Sequence, residues 1–143
     1  MRVFMDANVL FAASISPEGR SAALFELAQR GACELLTSAH AATEVRRNLE
    51  GRYPEALGRF EQLTLLVTIV REAPSPQVSW ATRQGLPDED APILAAAAAA
   101  AADVLVTGDR SHLGNLFGLT LEGVRVLALA DTLALFAGRR GQK

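Results

Sequence analysis

The feature that most constrains this chain is its alternation of short apolar runs with longer stretches of helical period. Arg2 to Met5, Cys33 to Leu36, Val67 to Val70, Val104 to Val106 and Val124 to Leu127 read as strands. Between them, a stripe at Ala23, Leu24, Leu27 and Ala28 marks a helix over 19–30, closed by Gly31. Ser38 is placed to cap a helix running to Asn48 and stopped by Gly51, and Pro54 opens another with Leu57, Phe60 and Leu63 on its apolar face. Two more helices follow, from about Asp90 to Ala101 and from Thr132 to Ala137. Parallel strands need crossover connections, so the alternation predicts an α/β fold with a parallel sheet covered by helices on both faces. Glu72 to Pro87 carries three prolines, Gly85 and the lone tryptophan, and reads as an ordered loop. Residues 108–118 read as a turn-rich connection with one short helix. A length of 143 residues fits one domain over 1–138 and a frayed tail at 139–143.

That architecture sorts the acids, because ligands of such sheets bind outside the carboxyl ends of the strands. Asp6 follows the first strand and Asp109 follows Val104 to Val106 by a Thr107-Gly108 turn, so both belong to that edge. Connecting helices run antiparallel to the strands, which puts their N-termini there too. Asp90 stands at one N-terminus, held at the helix entry by Ala91-Pro92. Glu44 lies six residues beyond Ser38, about 9 Å along the next helix. Asp103 falls at the opposite edge, and Asp131 reads as the N-cap of the last helix. Asp88 and Glu89 read as ordinary charges complementing a helix start, and His40 and His112 as surface or capping residues.

Crowded carboxylates raise one another's pKa unless a divalent cation resides among them. All-oxygen ligands suit Mg²⁺ or Mn²⁺, and a water acidified by such a metal is a nucleophile for phosphorus. Asn8, Thr107 and Ser111 are placed to support this site. A net charge of -2 does not by itself advertise nucleic-acid binding, so any such role rests on local charge. Arg46, Arg47, Arg52 and Arg59 form either a solvated face or a phosphate-gripping rim, which Arg110 and Arg83 extend. The single cysteine, Cys33, excludes an internal disulfide and a cysteine-based zinc cluster and reads as a buried inert thiol. The alanine run at 95–102 is too short to span a bilayer and reads as a packing device. The N-terminus leads straight into a strand with no secretory pattern, so a cytoplasmic location without membrane contact is expected.

Four segments together resemble PIN domains: Met5-Asp6-Ala7-Asn8-Val9-Leu10, Thr43-Glu44-Val45-Arg46-Arg47, Pro87 through Ala95, and Ala102 through Asp109. The resemblance covers nearly the whole chain, in order. It implies a three-layer α/β/α sandwich and Mg²⁺- or Mn²⁺-dependent ribonuclease activity. It maps an acidic quartet onto Asp6, Glu44, Asp90 and Asp109, with Asn8 and Thr107 supporting. Small proteins of this kind are similar to VapC toxins of type II toxin–antitoxin pairs, which implies a homodimer, an antitoxin partner and an RNA substrate, here contacted by Arg46, Arg47 and Arg110. Ser111 stands where many members carry a further acid, leaving one or two metals open. Phosphatases of the haloacid-dehalogenase type and response-regulator receivers also place an aspartate after the first strand, but both use an active-site lysine. The lone lysine here, Lys143, ends the tail. A PIN-like module that binds RNA or protein without cleaving is the remaining alternative.

Overall fold

A computed structural model describes residues 1–108 and 113–140 of the chain. Six strands form one sheet in the order β3-β2-β1-β4-β6-β5: β1 (Arg2–Met5), β2 (Glu34–Ser38), β3 (Val67–Val70), β4 (Val104–Thr107), β5 (Thr120–Leu121) and β6 (Val124–Ala128). The helices are α1 (Ala7–Ile15), α2 (Arg20–Gln29), α3 (Ala39–Arg52), α4 (Leu57–Thr64), α5 (Ser75–Thr82), α6 (Ala91–Ala99) and α7 (Leu129–Arg140). All strand pairs are parallel except β5 with β6. Among the described residues, no helix is long and apolar enough to cross a membrane.

The period-2 geometry of the strands divides the core in two. Val3, Met5, Leu35, Val104 and Val106 face one cluster with Leu10, Phe25, Val45, Leu49, Phe60 and Phe136 from α1, α2, α3, α4 and α7. Phe4, Leu36, Leu105 and Val126 face the other, covered by α5 and α6. The result is the three-layer α/β/α arrangement. Ala95, Ala96 and Ala97 are fully buried against the sheet, where small side chains let α6 lie close. Cys33 is buried, and that burial pushes its thiol pKa up.

Several local expectations give way to the structure. Residues 7–15 form α1, with Val9, Leu10, Ala13 and Ser14 buried; a helix wrapped by α2, α3 and α4 shows no amphipathic stripe. The proline-rich segment read as a loop contains α5, because Pro76 sits in the first helical turn where a missing N–H costs nothing. Gly51 does not stop α3; the helix continues to Arg52 and ends at Tyr53, ahead of Pro54. Pro54 itself opens a 3₁₀ turn before α4. Asp131 lies within the first turn of α7 rather than capping it, and α7 runs to Arg140. The β5–β6 hairpin was not legible as a Gly/Asn turn. Its two central residues, Glu122 (φ 50) and Gly123 (φ 82), are both left-handed, as a two-residue mirror-image turn requires.

Candidate active site

The parallel register of β1 and β4 sets Met5 beside Val106, so the residues that follow, Asp6 and Thr107, emerge together. Asp6 anchors itself by donating its N–H to the Val106 carbonyl (3.1 Å). Its backbone is extended (φ -65, ψ 157) at the N-cap of α1, yet its side chain does not cap the helix. Instead Oδ2 accepts a 2.8 Å hydrogen bond from the Thr107 hydroxyl, which is fully buried. Asn8 stands on the other side of the same turn, its Oδ1 accepting the Gly108 N–H at 3.2 Å. Thr37 of β2 donates to the Met5 carbonyl at 2.8 Å, tying the neighbouring strand end into the same platform. Three strands thus hold the half-buried Asp6 carboxylate in place.

Asp90 occupies the N-cap position of α6, also without a side-chain cap; Pro92 lies in the first turn. Its N–H donates to the Pro87 carbonyl at 2.9 Å, which fixes how the helix begins. Glu44 projects from α3. That helix is fastened at its start by Ser38, whose Oγ accepts the Ala41 N–H (3.0 Å), and by Glu72, whose Oε2 accepts the His40 N–H (3.0 Å). Val45 and Leu49 bury one face of α3, which turns Glu44 outward.

Asp6, Glu44 and Asp90 line one cavity of about 510 Å³ at the carboxyl edge of the sheet. Other residues line its walls, among them Arg52 of the candidate phosphate-gripping rim. Glu89, read as a plain helix-start charge, lines the cavity, as do His40, Asn48 and Arg52. The signal was available: His40, Glu44, Asn48 and Arg52 are four apart and so share one helical row. Asp109, Arg110 and Ser111 lie outside the described residues, and so does His112. Among the described residues no three His, Cys, Asp or Glu side chains form a cluster able to hold a metal ion by themselves.

The arginines of the candidate rim separate in space. Arg46 lies over the Phe60 ring (5.2 Å) and pairs with Glu61 (3.4 Å), off the acidic cavity. Arg59 donates to the Ala13 carbonyl at 2.9 Å, a structural contact. Arg47 lines a neighbouring groove with Thr43 and Glu72. Asp103, as expected, is at the opposite edge, accepting the Arg2 N–H at 2.7 Å.

Fold and edge together define an α/β protein whose acidic cleft opens at the carboxyl ends of parallel strands. The chain belongs to the PIN domain family, whose profile matches residues 2–111. Its fold is similar to that of PAE2754 from Pyrobaculum aerophilum, at TM-score 0.68 and 18% identity, covering 96% of each chain. It is also similar to a chain of VapBC2 from Rickettsia felis, a structure bound to a promoter DNA fragment, at TM-score 0.65 and 13% identity, covering 90% of this chain and 98% of that one. A chain of VapBC-1 from nontypeable Haemophilus influenzae matches at TM-score 0.59 and 17% identity, covering 91% and 99%. Among curated proteins no sequence match is found.

Proposed function

We propose that this PIN domain is a divalent-metal-dependent endoribonuclease, acting as the toxin of a type II toxin–antitoxin pair. The observation that carries the reading is the gathering of Asp6, Glu44, Glu89 and Asp90 around one cavity at the carboxyl edge of the sheet.

The donor set fits Mg²⁺ or Mn²⁺, which take oxygen ligands. Mg²⁺ binds through one or two carboxylates plus waters and phosphates, and so does not require a closed cluster of protein ligands. Asp6, Asp90 and Asp109 are the residues proposed to hold it. The ion, when bound, supplies positive charge to a phosphoryl oxygen and acidifies a water. The chain's own residues do the rest. Thr107 orients the Asp6 carboxylate through its 2.8 Å hydrogen bond. Glu44, exposed in the cavity, accepts the proton of the attacking water. As the water oxygen bonds to phosphorus, the opposite P–O bond breaks and the leaving oxygen takes up a proton from solvent. RNA as the substrate, a cognate antitoxin and a homodimer are proposed on the likeness to VapC proteins; the VapBC complexes among the structural neighbours support an antitoxin partner.

The test is cleavage of a panel of structured and single-stranded RNAs by purified protein with Mg²⁺, Mn²⁺ or EDTA, beside Asp6→Asn. Cleavage that needs metal and disappears in the variant supports the reading. Cleavage that survives in Asp6→Asn sinks the site, and RNA binding without any cleavage turns the reading to a binding module.

A further inference from the structure

The two outer strands of the sheet are finished differently. At one end, β5 is two residues long and turns at once into Glu122-Gly123, too short to template another strand. At the other end, β3 pairs only with β2, so the N–H and C=O groups on its outer side have no strand partner among the described residues. Val67, Thr68, Ile69 and Val70 are all β-branched, the shape that suits a paired strand, and no proline or charge guards them. Thr68 and Ile69 are exposed, Ile69 at 44%, and so is Leu65 at 85% in the turn before the strand. The Thr68 hydroxyl meets Glu34 only at 3.5 Å, which leaves it open to a closer partner.

Backbone geometry leaves few registers in which such an edge can pair with a second copy of itself. Successive residues direct their N–H and C=O groups inward and outward in turn, and antiparallel pairing sets like against like. A two-fold axis therefore passes between one residue and its own mate. Centred on Ile69 or Val70, the pairing would set Arg71 against Val67 or Ile69, a charge against an apolar side chain. Centred on Val67, it would set Ile69 against Leu65, whose helical backbone (φ -66, ψ -20) cannot join a ladder. Centred on Thr68, Val67 of each copy faces Ile69 of the other, and the two threonines meet on the axis. Arg71 and Glu72 then fall beyond the paired residues, with no like charges opposed. We propose that β3 is a docking edge for a second copy of this chain, joined antiparallel about a two-fold axis at Thr68 into one continuous sheet. This deepens the homodimer proposed above by giving it a contact surface. Antiparallel joining turns the two carboxyl edges to opposite ends, so each acidic cavity opens on its own side and works without the other. Four paired residues make a small contact, and contacts below about 1,200 Å² are transient, so the dimer should form in step with concentration.

The test is sedimentation velocity of the full chain over a dilution series, beside two cysteine variants under mild oxidant. Directly opposed residues hold their Cα atoms about 4.5–5.5 Å apart, within disulfide reach, so Thr68→Cys should give a covalent dimer that reductant reverses. Ile69→Cys, whose own mate lies diagonally at roughly 7–8 Å, should stay unlinked. So should the parent, whose Cys33 is buried. Ile69→Lys places a charge at an exposed edge position and should weaken self-association roughly tenfold or more, with circular dichroism and cleavage per chain unchanged. A monomeric parent together with an unlinked Thr68→Cys overturns this edge and the homodimer alike. A parent dimer that Ile69→Lys leaves intact, or a link formed by Ile69→Cys and not by Thr68→Cys, overturns this edge and leaves the homodimer standing.

Discussion

The two edges of the sheet use the same residue types to opposite ends. At the amino edge, Glu34 pairs with the Arg2 guanidinium at 2.9 Å, and Asp103 accepts the Arg2 N–H at 2.7 Å. The same guanidinium reaches the Ala100 carbonyl at 2.9 Å, closing the end of α6. Glu34 and Asp103 are each answered by a donor of Arg2, so the edge is a clasp joining β1, β2, β4 and α6. At the carboxyl edge, Asp6, Glu44, Glu89 and Asp90 share a cavity with one guanidinium, Arg52. The lesson is that an acid's chemistry is set by who answers its charge. At the amino edge the acids tie strands together; at the carboxyl edge Asp6, oriented by Thr107, lines a cavity with three further acids.

Four substitutions break or sharpen that contrast. The largest effect is expected from Asp6→Asn, which should lower kcat/KM about a thousandfold, roughly 4 kcal/mol of transition-state stabilisation. Metal-free thermal melting should change little, since asparagine keeps the size of the side chain and an oxygen for the Thr107 hydroxyl. A clear drop in melting temperature would mean that Asp6 belongs with Asp103 as a structural acid. Next comes Thr107→Val, which keeps the shape but removes the hydroxyl holding Asp6 Oδ2. Activity should fall about tenfold to a hundredfold, as for other residues that orient metal ligands; unchanged metal affinity by titration calorimetry would deny it that role.

On the clasp side, Arg2→Ala should cost about 1–2 kcal/mol in denaturant unfolding, moderated because the ion pair is partly solvated. Cleavage at permissive temperature should persist; its loss would dissolve the distinction between the edges. The smallest effect concerns how two helices end. Both α2 and α6 close with paired bonds back into their last turn: Ala32 N–H to the Leu27 carbonyl and Gly31 N–H to Ala28, then Ala102 N–H to Ala97 and Ala101 N–H to Ala98. The left-handed residue is Gly31 (φ 80) in one and Ala101 (φ 55) in the other. Alanine is strained there, so Ala101→Gly should stabilise the amino edge by about 1 kcal/mol without touching activity. A lower melting temperature would show that the alanine methyl contributes more by packing than it costs in strain.

Much of this was legible in the order of residues. The strands at 2–5, 67–70 and 104–106 announce themselves by β-branched and apolar runs, the last continuing to Thr107, and Ser38 caps α3 as its position suggests. Asp6 and Asp90 fall at the carboxyl edge because a strand end and a helix start must lie there. Local pattern failed where burial or turn chemistry overrode it. Buried α1 has no stripe, α5 hides behind first-turn prolines, and the Glu122-Gly123 turn is spelled without asparagine.

The sequence alone therefore determined the parallel α/β layout and the edge on which its acids collect, since both follow from strand and helix direction. Tertiary structure decided which neighbours join them. Whether Glu89 faces the cavity, whether Arg46 or Arg52 attends it, and that Arg2 answers Glu34 all depend on how α3, α4 and α6 are rotated against the sheet. That rotation is set by the packing of Val45, Leu49, Phe60 and the alanines of α6, contacts between segments far apart in the chain, which no local spacing encodes.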